Sequence, residues 1–172
     1  MQNTEVKLLG FCDSDWAGSV DDMKSTSGNL FSIGSGVVSW SSKKQETVAQ
    51  SSAEAEYVSA ALATSQAIWL KRILKDLGEK QKKAIPIMCD NKSAIAMAKN
   101  PVHHNRTRHI AIKHHYIRDM VEKSKIEIKY ICTEDQVADI LTKALPQDKH
   151  HYFKEMMQVT TKGLRGGVES NP

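Results

Sequence analysis

The sequence predicts an α/β architecture: a mixed sheet with helices packed on it. Three observations lead there. Short strand-like runs separated by Ser-, Gly- and Asp-rich turns fill the first third of the chain. A long apolar-periodic helix with a capping signal follows. Beyond it, strand and helix patterns alternate to the end of the ordered sequence.

VKLLGFC (Val6 to Cys12) is a short apolar run that ends at Asp13, the pattern of a buried strand entering a loop. The loop SDWAGSVDDMKSTSG is dense in turn-forming residues. NLFSIGSGVVSWSS then gives two strands about Gly34-Ser35-Gly36, a hairpin. Ser51 followed by Glu54 is a capping box and opens the long helix, with Val58, Leu62, Trp69 and Ile73 at near-helical spacing. Ala60, Ala63 and Ala67 add a small-residue face, and Gly78 ends the helix. AIPIMC (Ala84 to Cys89) is a second buried strand. NKSAIAMAKN is a short helix stopped by Asn100-Pro101. HIAIKHHYIRDMVEKS reads as a further helix with Ile110, Ile117, Met120 and Val121 as its stripe. IEIKYIC alternates as a strand, and Thr133 with Gln136 forms a second capping box that opens the helix DQVADILTKAL. Tyr152 to Val159 adds a turn or two of helix. The domain is expected over residues 1–161, and residues 162–172, with nothing to bury, are expected to be a disordered tail.

Composition narrows the function. At 172 residues with 40% hydrophobic and 26% charged residues, the chain has enough apolar surface for one soluble domain without disulfides. No apolar run approaches the roughly 20 residues that span a bilayer, and MQNTEVK lacks the pattern of a secretory signal, so no membrane partner is expected. Three widely spaced cysteines fit a reduced, intracellular compartment. The net charge of +4 is only mildly basic, but its distribution is uneven. Lys92, Lys99, Arg106, Arg108, Lys113 and Arg118 cluster with His103, His104, His109, His114 and His115, which suggests a phosphate-backbone partner; a solvated basic surface is the alternative.

Four acids stand at element ends, where chemistry gathers in such folds. Asp13 ends the first strand, Asp90 ends the fourth, Glu56 lies in the first turns of the long helix and Asp139 lies in the last well-defined helix. Each has a structural alternative: Asp90 as a helix cap, Asp13 (or Asp15) as a turn residue, Asp139 on a solvated face. Glu56 differs, because Glu54 already serves the capping box and Glu56 borders the apolar side, where an unpaired carboxylate is costly. Several acids brought together need protons or a cation, and a hard divalent ion with oxygen ligands suits them, with no Cys or His spacing competing for zinc.

GFCDSDWAG, DDMKSTSG, VVSWSSKKQ, SSAEAEY, CDNKSA, NRTRHIAIKHHYIRD and DQVADILTK, in that order from about Val6 to about Val159, resemble the ribonuclease H region of copia-type retrotransposon Pol polyproteins. The resemblance implies the ribonuclease H-like fold: a five-stranded mixed sheet, three antiparallel strands then two parallel, with helices on both faces. It implies a catalytic, metal-binding set of Asp13, Glu56, Asp90 and Asp139, with Asp15 two residues on facing the same side as Asp13. The implied activity is metal-dependent cleavage of the RNA strand of RNA–DNA hybrids by two Mg²⁺ ions, with Mn²⁺ as a substitute, Asp13 bridging both ions, Glu56 and Asp90 completing one site and Asp139 the other. Lys92, Arg106, Arg108 and Lys113 would follow the nucleic-acid backbone. The implied partner is a reverse transcriptase domain of the same polyprotein, in a cytoplasmic virus-like particle if the element is active. Two departures stand out. The loop Cys132 to Asp135 has no histidine where many ribonucleases H carry one, leaving His109 and His115 as auxiliary candidates, and Met23 replaces a basic residue usual before KSTSG. A catalytically silent nucleic-acid-binding or scaffolding module with the same fold is the alternative function.

Overall fold

A computed structural model of the chain describes residues 6–99 and 111–159, with the side chains of 111–114 excepted. Arg106, Arg108 and His109, the Lys113 side chain and the 162–172 tail lie outside the described residues. The strands are β1 (Leu8–Asp15), β2 (Thr26–Ile33), β3 (Gly36–Lys44), β4 (Ile85–Cys89) and β5 (Ile126–Tyr130). The helices are α1 (Ser52–Asp76), α2 (Lys92–Lys99), α3 (Ala111–Glu122) and α4 (Gln147–Met156).

The five strands form one sheet in the order β3-β2-β1-β4-β5, antiparallel from β1 to β3 and parallel from β1 through β4 to β5. This is the mixed sheet that the resemblance implied. β1 is longer than its apolar run, because pairing with β2 continues through Asp13↔Gly28 to Asp15↔Thr26. Asp13 therefore sits inside the strand rather than after it.

Period-two alternation divides β1 between two cores. Leu8 and Cys12 pack with Phe31, Ile87, Ile128 and the Ala face of α1, and α2 and α3 cover the same side. Phe11 turns to the other side, where Leu30, Val137, Ala138 and Phe153 form a smaller cluster. Helices thus cover both faces.

α1 begins as the sequence predicts. Ser51 Oγ accepts the Glu54 amide at 3.2 Å, and Glu54 Oε2 accepts the Gln50 amide at 3.0 Å. It ends in a Schellman motif: Gly78 takes a left-handed φ of +89°, the Glu79 amide donates to Leu74 O, and the Gly78 amide to Lys75 O. The buried stripe differs in part from expectation. Trp69 is 53% exposed, and contact with the sheet runs instead through Ala60, Ala63, Ala67, Leu70 and Leu74, whose alternating steps of three and four keep one face and whose small side chains let the helix approach closely.

The expected helix DQVADILTKAL does not form. Two short 3-10 turns, Thr133–Asp135 and Val137–Leu141, replace it. The cause lies in the two residues read as its capping box. Thr133 Oγ1 donates to Asp90 Oδ2 at 2.9 Å, and the fully buried Gln136 donates from Nε2 to Cys12 O at 3.0 Å. Thr133 is thus tied to the end of β4, and Gln136, tied to β1 through Nε2, caps only the short second turn, where its Oε1 accepts the Ala138 amide at 3.4 Å. The terminal helix is also longer than expected, ten residues after Pro146, anchored by the buried Phe153.

Gly28 lets the 3-10 segment reach the sheet. A Cβ there would lie 2.7 Å from Thr142 Cγ2 and 3.0 Å from Leu141 Cβ. Gly28→Ala should therefore lower unfolding stability by about 1–3 kcal/mol, the usual cost of overpacking, as read by chemical denaturation; an unchanged midpoint would contradict this packing.

Candidate metal centre

β1 and β4 run parallel side by side, so their C-terminal ends emerge together, the place where α/β sheets collect functional groups. β1 carries Asp13 there and Asp90 follows β4, while α1 crosses the sheet and delivers Glu56 from its second turn. Oxygens of Asp13, Glu56 and Asp90 all lie within 4.8 Å of one another. Asp13 is fully buried and Glu56 is 5% exposed.

The structure also shows where each of the individual acids stands. Asn91, not Asp90, caps α2: its Oδ1 accepts the Ala94 amide at 3.0 Å. Asp90 is left for the cluster and is held by Thr133. Asp15 stands two positions beyond Asp13 and lies against Gly18, so Asp13 alone of the pair joins the group. Glu54 is engaged in the cap, as its spacing indicated.

Each carboxylate has its own support. Glu56 Oε1 accepts both the amide and the hydroxyl of Ser14 at 2.8 Å. Asp13 Oδ2 accepts the Thr142 hydroxyl and Oδ1 accepts Lys143 Nζ at 3.0 Å. Asp139 is not part of the three-acid group. It stands on the second 3-10 turn, 1% exposed, and joins Asp13 through Lys143, whose Nζ is 2.9 Å from Asp139 Oδ1; Lys149 Nζ adds a contact at 3.4 Å.

Burial, followed by repulsion from Asp13, pushes the Glu56 carboxyl from 4.5 up to about 9, against the opposing pull of the Ser14 hydrogen bonds. Burial likewise raises Asp139, partly offset by Lys143. Burial works against the charge on Lys143, but Asp13 and Asp139 outweigh it and hold that ammonium above its ordinary value. The residues fit a hard divalent cation. Three carboxylates converge through their oxygens, and Glu56 is pushed towards its neutral form first by burial and then by repulsion from Asp13.

The remaining predicted residues are more dispersed. Lys92 opens α2 two residues after Asp90 and lies over the Tyr130 ring at 4.7 Å. His115 is exposed on α3 and is not a member of the carboxylate group. Met23, on the β1–β2 loop, is 55% exposed with a left-handed φ of +53°. A groove of about 850 Å³ opens at the other end of the sheet, between Val6, Ile33, Gln81 and Pro86, and none of the four acids lines it. Sequence reasoning missed Ser14, Thr133, Thr142 and Lys143. Only Lys143 carried a local signal, four residues after Asp139, and that spacing is common on exposed helices.

The Glu56 shift has a defined sign. Between about pH 4.5 and 9 the folded, metal-free chain binds a proton there that the unfolded chain has released, so this contribution is fully present below 4.5 and is lost as pH rises through 9. The melting temperature in chelator should fall across that window, and Glu56→Gln should flatten the fall. Identical pH profiles for the two proteins would contradict the assignment.

Comparison with known proteins places the chain in a lineage. No family model matches the chain. It is 43% identical over 150 residues to the retrovirus-related Pol polyprotein from transposon TNT 1-94 of Nicotiana tabacum, covering 87% of this chain and 11% of that protein. It is 41% identical over 155 residues to the corresponding polyprotein of transposon RE1 of Arabidopsis thaliana, covering 90% and 11%. The chain thus spans about a tenth of the length of these relatives. Among solved structures, the N-terminal RNase H domain of a Mycobacterium tuberculosis protein superposes with a TM-score of 0.58 at 15% identity, over 87% of this chain and 97% of that one. A ribonuclease H solved in complex with an RNA/DNA hybrid gives 0.55 at 15% identity, over 79% and 94%. The chain is a homologue of one segment of the retrovirus-related Pol polyproteins of plant transposons, and its fold is that of ribonuclease H.

Proposed function

We propose that the chain is a metal-dependent endoribonuclease that cuts the RNA strand of RNA–DNA hybrids, the ribonuclease H activity of a copia-type retrotransposon Pol polyprotein. One observation carries the reading: Asp13, Glu56 and Asp90 converge within 4.8 Å at the ends of neighbouring parallel strands in a ribonuclease H fold. Two things support the substrate: the Pol relatives, and a structural neighbour whose bound ligand is an RNA/DNA hybrid.

In this mechanism Asp13, Glu56 and Asp90 would hold one divalent ion, and Asp139 with Asp13 would serve a second; Mg²⁺ would be the natural choice and Mn²⁺ a substitute. When bound, such ions supply Lewis-acid stabilisation of the phosphate and a water of lowered pKa. The chain's residues position that chemistry. Ser14 fixes the Glu56 carboxylate, Thr133 fixes Asp90 and Thr142 fixes Asp13. Lys92, beside Asp90, binds the nucleic-acid backbone, and Arg106, Arg108 and Lys113, whose side chains lie outside the described residues, are assigned the same role from the sequence. His109 and His115 are assigned to backbone contact or substrate handling. Contacts to the 2′-hydroxyl distinguish RNA from DNA. A reverse transcriptase domain of the same polyprotein is the proposed neighbour, and a cytoplasmic virus-like particle the proposed setting. Among the described residues no helix is long and apolar enough to cross a membrane.

One observation favours a silent binding or scaffolding module instead: Lys143 engages both Asp13 and Asp139. A single assay separates the two. Incubated with Mg²⁺ and a fluorescent RNA–DNA hybrid, the chain should cut the RNA strand and leave duplex DNA intact. Asp90→Asn should reduce the rate by about a hundredfold or more, and binding should weaken steeply with salt. Cutting that survives the substitution would refute the site; hybrid binding without cutting would establish the silent module.

A further inference from the structure

The cation already present in the acidic cluster belongs to the chain itself. Lys143 Nζ is 3.0 Å from Asp13 Oδ1 and 2.9 Å from Asp139 Oδ1, so one ammonium bridges two carboxylates whose side chains are 0% and 2% exposed. Asp13 and Asp139 come from opposite ends of the sequence, and this ammonium bridges their carboxylates, with the Thr142 hydroxyl beside it against Asp13 Oδ2 and the Asp139 carbonyl. A cation shared by the two acids has to stand between their oxygens, and the ammonium stands there. The Lys143 side chain is itself 33% exposed, which leaves it a route to solvent that neither acid has. Lys149 offers an internal comparison: it approaches the same Asp139 at 3.4 Å but makes no contact with Asp13.

We propose that Lys143 is a positioning residue that acts as an internal counter-cation: in the absence of nucleic acid it keeps the Asp13–Asp139 side closed to a divalent ion. The free chain therefore takes one ion, at Asp13–Glu56–Asp90. A second ion, shared by Asp13 and Asp139, enters once the ammonium swings outward. A substrate phosphate supplies an anionic partner for the displaced ammonium, which couples completion of the site to arrival of the backbone. This inference rests on the metal-nuclease reading above.

The test is a Mn²⁺ titration of the chelator-stripped 172-residue chain without nucleic acid, followed by the paramagnetic resonance of free Mn²⁺. Wild type should bind one ion. Lys143→Met should bind two, the second tightened by about tenfold or more because the competing ammonium is gone. Lys143→Gln serves as a second neutral variant should the first fail to fold. Lys143→Arg, which keeps a cation, should stay at one, and so should Lys149→Met, which removes a charge without opening the bridge. Two ions in wild type, one ion in both neutral variants, or a second ion gained equally by Lys149→Met would each overturn the proposal while leaving the metal reading standing. Failure of every variant to bind any ion would overturn both.

Discussion

Parallel pairing of β1 with β4 is the constraint on which the rest of the structure depends. Only strands that run the same way bring two C-terminal ends to one edge, and here those ends carry Asp13 and Asp90. A third acid from α1 then has to share the same poorly hydrated space. The chain places Glu56 beside Asp13 where burial and repulsion both disfavour its charge, so that ionising it opposes folding of the metal-free form. A divalent cation among these oxygens would relieve that repulsion.

The chain manages that repulsion unevenly. Glu56 receives two neutral donors from Ser14, on the strand beneath it. Asp90 has one hydroxyl, from Thr133. Asp13 and Asp139 instead share a full positive charge. Neutral hydrogen bonds orient an oxygen and leave its charge available, whereas an ammonium consumes that charge. The cluster is thus divided into a half held by neutral donors and a half balanced by the chain's own ammonium.

Much of this was legible in the sequence, for identifiable reasons. The sheet and α1 could be read because their signals are local: alternation in β1, the Ser51–Glu54 cap, and Gly78 at the helix end. Glu56 stood out because Glu54 already had a task. Asp13 and Asp15 could not be separated, since strand extent depends on pairing with Gly28 and Thr26, a long-range fact. The segment around Asp139 was misread for the same kind of reason. Thr133 and Gln136 have the spacing of a cap but donate to residues 43 and 124 positions away, and Gln136 caps only the short turn that follows it. Trp69 matched a helical period yet faces outward, because the sheet accepts small residues more closely than large ones. Lys143 looked ordinary, since nothing within a few residues reveals that its bridge reaches Asp13.

The bond from Gln136 to the Cys12 carbonyl also bears on how the molecule assembles. It ties the final turns of the domain to its first strand, across nearly the whole length of the chain. Contacts of such sequence separation close late, because the loop entropy has to be met before they contribute. During synthesis, the sheet and α1 can collapse while the 3-10 segment is still inside the ribosome. The nascent protein therefore gathers Asp13, Glu56 and Asp90 before Asp139 and Lys143 can join them.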